Sequence, residues 1–219
     1  TGIMNKPQAS LVQAMKEAGK EEENYAGMIT AGNSGAILMG SFRFLSDENK
    51  TRPCMACILP NGKGAYTCVL DCGATIDCTS SQLHSFAHLG SDLMKKMYKL
   101  DNPRVALLSN GAEPTKGNHL VKETYPILAE DKELKFIGNV EGNMALSGCC
   151  DVLVCDGFAG NQVHDNWRRD VIRQICHYFE RLFSVKDVIN DFWQISFENV
   201  LINNLNIIIW RQSFIQNRQ

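Results

Sequence analysis

The amino-acid sequence predicts an α/β fold in which a mostly parallel sheet lies between layers of helices. Over residues 1–160, short apolar runs alternate with stretches whose apolar residues recur at helical spacing. Several apolar runs are continuous, which is typical of strands that helices cover on both faces. Alternation of strands and helices favours parallel strands that are joined by crossover helices.

Six segments are predicted to be strands, because each is short and apolar and most are followed by a polar or glycine-containing turn. They are residues 27–31, 54–59, 66–71, 104–109, 135–137 and 151–156. Helices are predicted between and after them, over residues 34–44, 80–99, 116–130 and 163–183. In the second helix, Thr79 or Ser80 fits the N-cap, and Leu83, Phe86 and Leu93 share one face.

The turn over residues 110–118 is the strongest candidate for chemistry. Its amides, carboxylate, ammonium group and glycines come from Asn110, Gly111, Glu113, Lys116, Gly117 and Asn118. Backbone N–H groups in glycine-rich turns bind anions, above all where a helix begins. Lys116 lies near the predicted helix start, where its charge opposes the helix dipole, so a bound anion would explain it. The alternative is a solvated surface lysine.

Other strand ends carry polar groups that the parallel sheet would bring to the same edge, where open α/β folds place their ligand. Asn33, Ser34 and Gly35 open the first predicted helix and either hold a phosphate or form an ordinary cap. Asp71, Glu141 and Asp156 end strands or lie just after them, where carboxylates either bind a ligand or orient a loop. The residues alone leave both readings open.

Charge and cysteine content exclude several classes of protein. With 22 basic and 24 acidic side chains, the net charge of −2 gives no reason to expect nucleic acid as a partner. No apolar run approaches the roughly 18 residues of a membrane span. Nine cysteines, an odd number, predict a reducing cytoplasm. Cys54 and Cys57 form a CxxC pair, which we interpret as core cysteines rather than metal ligands.

Familiar catalytic motifs are missing. The sequence has no GxSxG elbow, no GxxxxGK[ST] phosphate loop and no GxGxxG fingerprint. His84 and His88 are four residues apart on one predicted helix face, but no HExxH pattern surrounds them.

Composition changes abruptly near residue 161. All 17 glycines and all six prolines lie at or before Gly160. We therefore predict an incomplete α/β domain over residues 1–161 and a helical tail over residues 162–219. The tail is either a specialised helical cap or foreign to the domain, through a frameshift, a gene-prediction error or a fusion, and we favour the second interpretation.

Six motifs, taken together, resemble the PlsX family, the phosphate acyltransferases of bacterial phospholipid synthesis. They are AGNSGA (31–36), LDCGA (70–74), NPRVALL (102–108), KGN (116–118), FIGNVEG (136–142) and DVLVCDGFAGN (151–161). The resemblance covers about residues 25–161. It implies a three-layer α/β/α fold related to phosphotransacetylases and isocitrate dehydrogenase. It also implies acyl transfer from acyl carrier protein to inorganic phosphate by a cytoplasmic homodimer near the membrane surface, without metal or organic cofactor.

With the resemblance, the candidate residues receive hypothetical roles. Lys116 would supply charge to the anion, Glu113 would position groups, and Asn110 would donate hydrogen bonds. The substrate and phosphate site would be built from Asn33, Ser34, Gly35, Asp71, Gly111, Gly117, Asn118, Asn139, Glu141, Asp156, Gly157, Gly160 and Asn161. The leaving thiolate has a pKa near 8.5, so the reaction does not demand a strong general acid.

Two rival functions remain at this point. The related subunit of the glycine, sarcosine and betaine reductase system forms acetyl phosphate from an enzyme-linked thioester, and the cysteine content is compatible with it. The second rival is an inactive fragment that binds phosphate or carrier protein, since nothing after Asn161 resembles the family's ending.

Overall fold

The computed structural model of the chain describes residues 5–20, 25, 28–30, 32–45, 52–182 and 207–208. Six strands lie in this part of the chain: β1 Met55–Pro60, β2 Tyr66–Leu70, β3 Arg104–Ser109, β4 Lys135–Glu141, β5 Val152–Val154 and β6 Ile207–Ile208. The helices are α1 Ser10–Ala18, α2 Ser34–Phe44, α3 Ser80–Tyr98, α4 His119–Glu130 and α5 Gly157–Leu182, with a 3-10 turn at Gly142–Met144.

The strands form one sheet in the order β4-β3-β5-β2-β1-β6. Strands β4, β3, β5 and β2 are mutually parallel, as the alternation of strands and helices predicts. Strand β1 instead runs antiparallel to β2, with Ala56 opposite Leu70 and Pro60 opposite Tyr66. The reason is that only residues 61–65 join them, and a parallel crossover needs a dozen residues or more.

Two apolar clusters, one on each face of the sheet, make the fold a three-layer α/β/α sandwich. On one face, Leu83, Phe86 and Met94 of α3 and Leu128 of α4 pack against alternate strand residues such as Val105. On the other face, strand residues including Val69, Ala106 and Leu153 are packed by Val163 and Trp167 of α5. Burial on both faces explains why the strands are continuously apolar.

Helix α3 begins as its sequence predicts. The Thr79 side chain accepts a hydrogen bond from the Gln82 N–H, and the Gln82 side chain accepts one from the Thr79 N–H. This reciprocal capping box satisfies two of the donors that a helix N-terminus leaves without partners.

Strand bounds differ from the predicted ones by up to four residues, as in β4, which extends to Glu141, and two further predicted elements differ from the structure. The predicted helix at 116–130 begins at His119, because Gly117 has φ of 104° and Asn118 caps the helix from an extended conformation. Lys116 therefore lies in the loop before the helix. The predicted strand at 27–31 is absent from residues 28–30, where Ile29 is fully exposed and no strand neighbour supplies a ladder. Residues 27 and 31 lie outside the described residues.

The boundary predicted after residue 161 falls inside α5, which continues to Leu182. This division of the chain stays a prediction. Residues 207–208 form a short strand that pairs antiparallel with Met55 and Ala56 of β1. The rest of the tail after residue 182 lies outside the described residues.

The CxxC cysteines lie on opposite faces of the sheet. Cys54 is fully buried in the cluster beneath α3, whereas Cys57 packs in the cluster beneath α5. Residues three apart in or beside a strand point to opposite faces. The two thiols therefore cannot bind one metal ion together, which agrees with their interpretation as core residues.

Candidate active site

A cavity of about 1140 Å³ opens where the parallel strands end and extends along the face that α5 covers. Its polar lining includes Ser109 at the end of β3, Asn110 after it, Asn118 before α4, and Asp156 after β5. Leu108, Leu146, Val163 and Trp167 contribute apolar lining. A parallel sheet brings its carboxyl ends to one edge, so the cavity occupies the position that the strand order predicts for a ligand.

Side-chain amides shape the loop over residues 110–118. Asn110 Oδ1 accepts a hydrogen bond from the Gly117 N–H at 2.9 Å. Asn118 Oδ1 accepts one from the Val121 N–H at 2.9 Å and so caps α4. The Glu113 carbonyl oxygen accepts from the Lys116 N–H at 3.0 Å, which closes the turn between them. These bonds fix the loop ahead of any ligand.

The two glycines of this loop are required by close approach. A Cβ on Gly111 would lie 2.7 Å from Lys116 Cγ and 3.1 Å from Glu113 Oε2, so both charged side chains fold over that glycine. A Cβ on Gly117 would collide with Val121, and its φ of 104° already favours glycine. Glycine at position 111 therefore leaves room for the Glu113 and Lys116 side chains, and glycine at position 117 allows the loop to pack against the start of α4.

The N-terminus of α4 supplies the electrostatic element of the site. The helix runs for 12 residues, and Asn118 and Gly117 at its start line the cavity. Backbone N–H groups in the first turn, together with the helix dipole, attract anions. Lys116, which directly precedes Gly117, has an exposed side chain. The arrangement suits a phosphate at the mouth of the cavity.

Two buried polar atoms near this loop have no partner among the described residues. They are Asn139 Oδ1, on a side chain that is only 6% exposed, and Ser109 Oγ. Asn139 Nδ2 donates to the Glu113 carbonyl oxygen at 2.9 Å, and Ser109 Oγ lies 3.2 Å from where a Gly117 Cβ would stand. Unsatisfied buried groups are rare and often mark functional positions.

Asp71 is buried and organises the turn after β2. Its carboxylate accepts hydrogen bonds from the N–H groups of Met55, Ala74 and Thr75 at 2.7–3.1 Å. Burial raises the pKa of Asp71, and these backbone hydrogen bonds partly oppose the shift. The carboxylate does not line the cavity, and the contacts are those of a loop-orienting residue.

Asp156 and its neighbouring glycines fix the start of α5. Asp156 Oδ1 accepts a hydrogen bond from the Ala159 N–H at 2.7 Å, and its carboxylate borders the cavity. A Cβ on Gly157 would lie 2.6 Å from the Thr75 carbonyl oxygen, and a Cβ on Gly160 would collide with the Asp71 carbonyl oxygen. These glycines therefore let α5 approach the turn after β2.

The remaining candidates are not gathered into the cavity. Asn33 caps α2 by accepting from the Ala36 N–H at 3.1 Å, but neither it nor Ser34 or Gly35 lines the cavity. Glu141 is exposed at the end of β4 and pairs in register with Ser109. Asn161 is exposed and donates to Asp165 at 3.2 Å. Their roles in binding stay predictions, as do those of Lys116 and Glu113.

Sequence reasoning missed several residues that line the cavity. Ser109, Asn143, Gln162, Asn166 and Trp167 all contribute to it. Ser109 ends β3, so its position next to the 110–118 loop was an available signal. The α5 residues recur at helical spacing, so the sequence predicts that they share one face of the helix. The sequence does not predict that this face leaves space above the sheet.

The fold is that of the phosphotransacylases. The structure superposes on a branched-chain phosphotransacylase from Enterococcus faecalis V583 with a TM-score of 0.52 and 16% identity, over 71% of this chain and 62% of that one. It superposes on a phosphotransacetylase from Streptococcus pyogenes with a TM-score of 0.50 and 14% identity, over 64% of this chain and 49% of that one. At these identities the likeness concerns the fold alone.

Sequence comparison places the chain in a particular family within that fold. A family model described as "Fatty acid synthesis protein" matches residues 1–176. The chain belongs to this family, which confirms the resemblance that its motifs carry.

Curated relatives bear the name phosphate acyltransferase. The chain is 41% identical over 162 residues to the protein from Syntrophomonas wolfei, 45% over 162 residues to that from Streptococcus pneumoniae strain ATCC 700669, and 42% over 164 residues to that from Aquifex aeolicus. Each match covers 74% of this chain and 48–50% of the relative. The chain thus spans about half the length of the curated relatives it matches.

Proposed function

We propose that this chain carries the phosphate-binding part of a phosphate acyltransferase, which forms an acyl phosphate from acyl-[acyl carrier protein] and inorganic phosphate. A phosphate oxygen attacks the thioester carbonyl carbon, a C–O bond forms, and the C–S bond then breaks. The carrier protein leaves as a thiolate and takes up a proton from water. Such a reaction needs a held dianion and donors for the developing oxyanion more than it needs a strong acid.

The observation that carries the proposal is the junction of the 110–118 loop with α4 at the mouth of the cavity. Asn110, Gly117 and Asn118 line the cavity together, and the helix N-terminus faces the same place. A phosphate there would meet backbone N–H groups and the positive end of the α4 dipole. Asn33 and Ser34, which were predicted to join the site, are not needed for this part of it.

Within this proposal, the loop residues have separate tasks. The Lys116 ammonium group neutralises phosphate charge from the loop, and the amides of Asn110 and Asn118 fix the backbone donors. Glu113 acts through its backbone oxygen, which accepts from Lys116 and from Asn139. The groups proposed to contact the phosphate are thus the Lys116 ammonium group and the backbone N–H groups at the N-terminus of α4.

The apolar part of the cavity provides room for an acyl chain. It continues from Ser109 and Asp156 at the carboxyl edge, along Leu108 and Trp167, to Pro60 and its hairpin at the opposite edge of the sheet. An extended chain that enters with its thioester at the carboxyl edge would therefore lie between the sheet and α5. Burial of each methylene contributes about 0.8 kcal/mol, so a groove of this length favours long chains.

Assembly and location follow from the family resemblance. We propose a cytoplasmic homodimer that meets its lipid-derived substrate near a membrane surface. No helix among the described residues has the length and apolar content needed to cross a bilayer. The division into a partial α/β domain over residues 1–161 and a tail over 162–219 is part of the same proposal.

The test is acyl-phosphate production from palmitoyl-[acyl carrier protein], trapped with hydroxylamine and measured with and without inorganic phosphate. Product that depends on phosphate supports the proposal. Lys116→Ala should lower the rate at subsaturating phosphate by roughly tenfold or more, since it removes a charge beside the anion. Lys132→Ala, an exposed lysine outside the loop, is the matched control and should leave the rate unchanged.

Other outcomes distinguish the rivals. Product from an acetyl thioester but not from palmitoyl carrier protein would favour the reductase subunit, a reading that the named relatives do not support. Phosphate binding by calorimetry without any product would indicate an inactive fragment. Neither binding nor product, or an unchanged rate for Lys116→Ala, would overturn the assignment of this loop.

A further inference from the structure

His84, His88 and Asp131 form a cluster that the proposed reaction does not use. His84 and His88 lie one turn apart on α3, and Asp131 follows the last residue of α4. Both histidine Nε2 atoms lie 2.7 Å from the same atom, Asp131 Oδ2. One ligand atom from each residue lies within 4.8 Å of the others. None of the three lines the cavity described above.

The donor set fits a divalent transition-metal ion. Two imidazole nitrogens from residues i and i+4 of a helix, with one carboxylate oxygen, are common ligands of zinc and its neighbours. Alkaline-earth ions prefer all-oxygen sites. The side chains of His84 and His88 are 33% and 34% exposed, so an ion has access from solvent.

The carboxylate is already held in a ligand-ready position. Asp131 Oδ1 accepts a hydrogen bond from the Glu133 N–H at 2.8 Å, which leaves Oδ2 directed at the two histidines. Hydrogen bonds of this kind orient ligands from outside the coordination sphere. A tetrahedral ion with bonds of about 2.1 Å separates its ligand atoms by about 3.4 Å, so the 2.7 Å distances need to open by about 0.7 Å.

We propose that His84, His88 and Asp131 bind one zinc-like divalent cation, which ties α3 to the turn after α4. Solvent completes the coordination. The ion joins two elements that pack on the same face of the sheet, so its effect is on stability rather than on acyl transfer. This departs from the sequence prediction that the chain uses no metal, because the turn that brings Asp131 to α3 cannot be read from the sequence.

The experiment is titration of the chelator-treated chain with Zn²⁺, followed by calorimetry and by thermal unfolding. We expect binding of one ion per chain at this site and a rise in Tm as Zn²⁺ exceeds its Kd. His88→Ala and Asp131→Asn should each weaken this binding by roughly tenfold or more and abolish the rise in Tm. His88→Gln, which keeps a hydrogen-bonding side chain, tests the same loss if His88→Ala folds poorly.

His119→Ala is the matched control. His119 is 88% exposed in its side chain and lies near Glu123 on α4, away from the cluster, so its replacement should leave Zn²⁺ binding intact. Co²⁺ separates the site from cysteine sites, because imidazole and carboxylate ligands lack the strong near-ultraviolet thiolate bands. The proposal would be overturned if no Zn²⁺ bound, if His88→Ala and His119→Ala bound it equally well, or if Co²⁺ gave only thiolate bands. The three residues would then only hold α3 to the turn after α4 by hydrogen bonds.

Discussion

Asn139 donates its side-chain Nδ2 to the backbone oxygen of Glu113 at 2.9 Å, and so joins β4 to the loop that follows β3. The two residues are 26 positions apart in sequence. The Asn139 side chain is almost fully buried, so no water replaces the bond if it is lost. The shape of the proposed phosphate loop therefore depends on a residue in the neighbouring strand.

Replacement of Asn139 by Ala should destabilise the chain and disturb phosphate binding together. The Glu113 carbonyl oxygen keeps the hydrogen bond from the Lys116 N–H, so the substitution removes one of its two bonds, and loss of a buried hydrogen bond costs about 1 kcal/mol. Urea unfolding gives the stability, and calorimetry gives the phosphate affinity. Asn143→Ala, at an exposed position, should change the stability by less than about 0.5 kcal/mol. Equal stability of both variants would contradict the anchoring role of Asn139.

Gly160→Ala should be among the most damaging single substitutions in α5. The added Cβ would collide with the Asp71 carbonyl oxygen and lie 2.9 Å from Cys155 Sγ, and the carbonyl oxygen belongs to backbone directly after β2 that cannot move without shifting that strand. Overpacking of this kind costs about 1–3 kcal/mol or more.

Gly142→Ala is the control for that experiment, since a Cβ there meets nothing within 4 Å. Chemical unfolding of both variants should show a large loss of stability for Gly160→Ala and little change for Gly142→Ala. A loss confined to Gly142→Ala, or similar losses in both, would show that close packing against Asp71 is not what requires glycine at position 160.

The sequence predicts much of the sheet because its strands are buried on both faces and interrupted by glycine-rich turns. Arg104–Ser109 is a strand with the predicted bounds, and Ser34–Phe44 is a helix with the predicted bounds. Helix α4 begins late because the left-handed φ of Gly117 and the cap at Asn118 outweigh helical spacing. Residues 28–30 show that apolar content is insufficient to form a strand where no neighbouring strand pairs with it.

The candidate site was predictable only in its local parts. The cap at Asn118 and the loop after β3 follow from residue type and position, because side-chain amides accept from N–H groups two or three residues later. The bond from Asn139 to Glu113 and the convergence of His84, His88 and Asp131 depend on how separate elements pack. Sequence spacing carries no record of such distances.

Stability should depend on pH through Arg104 and Asp151 at the start of β3 and β5. The guanidinium group donates to both carboxylate oxygens, at 2.7 and 3.0 Å, and to the backbone oxygens of Gly148 and Cys149. Burial alone would raise the pKa of Asp151, but the hydrogen bonds from Arg104 outweigh it and the pKa is lowered. A lowered pKa stabilises the fold above the unfolded value of about 3.9, and this contribution disappears as the pH falls through the folded value.

Arg104→Met should therefore cost about 2 kcal/mol at neutral pH, the scale of hydrogen bonds to charged groups. Urea unfolding between pH 7 and pH 2 gives the free energy of unfolding of the variant and of the parent chain. The difference between these two free energies should narrow below about pH 4. Comparison at equal pH cancels the titration of other carboxyls, including Asp131 with its pKa of about 2. Asp101→Asn, at an exposed site, is the control and should leave the pH dependence of the free energy of unfolding unchanged. A difference between Arg104→Met and the parent chain that stays constant from pH 7 to pH 2 would show that the Arg104–Asp151 pair does not cause the pH dependence.

Cys57 should be alkylated far more readily than Cys78 at neutral pH. A hydrogen bond from Cys72 is the main cause that lowers the pKa of Cys57; burial opposes it, and His164 adds to the lowering. The hydrogen bond between Cys57 and His164 also raises the pKa of His164, as expected for a thiolate beside an imidazolium. Cys78 is the internal comparison, because burial raises its pKa to about 11.

Iodoacetamide labelling across a pH series, read peptide by peptide, tests this directly. Alkylation requires the thiolate. The alkylation rate of Cys57 should therefore stay constant as the pH falls well below the ordinary thiol pKa of about 8.5, and it should decrease only near the lowered pKa of Cys57. The Cys78 rate should still be rising in alkaline solution. His164→Gln removes the imidazolium and should move the Cys57 midpoint upward while leaving Cys78 unchanged. Coincident midpoints for the two cysteines in the parent chain would show that Cys57 is an ordinary thiol.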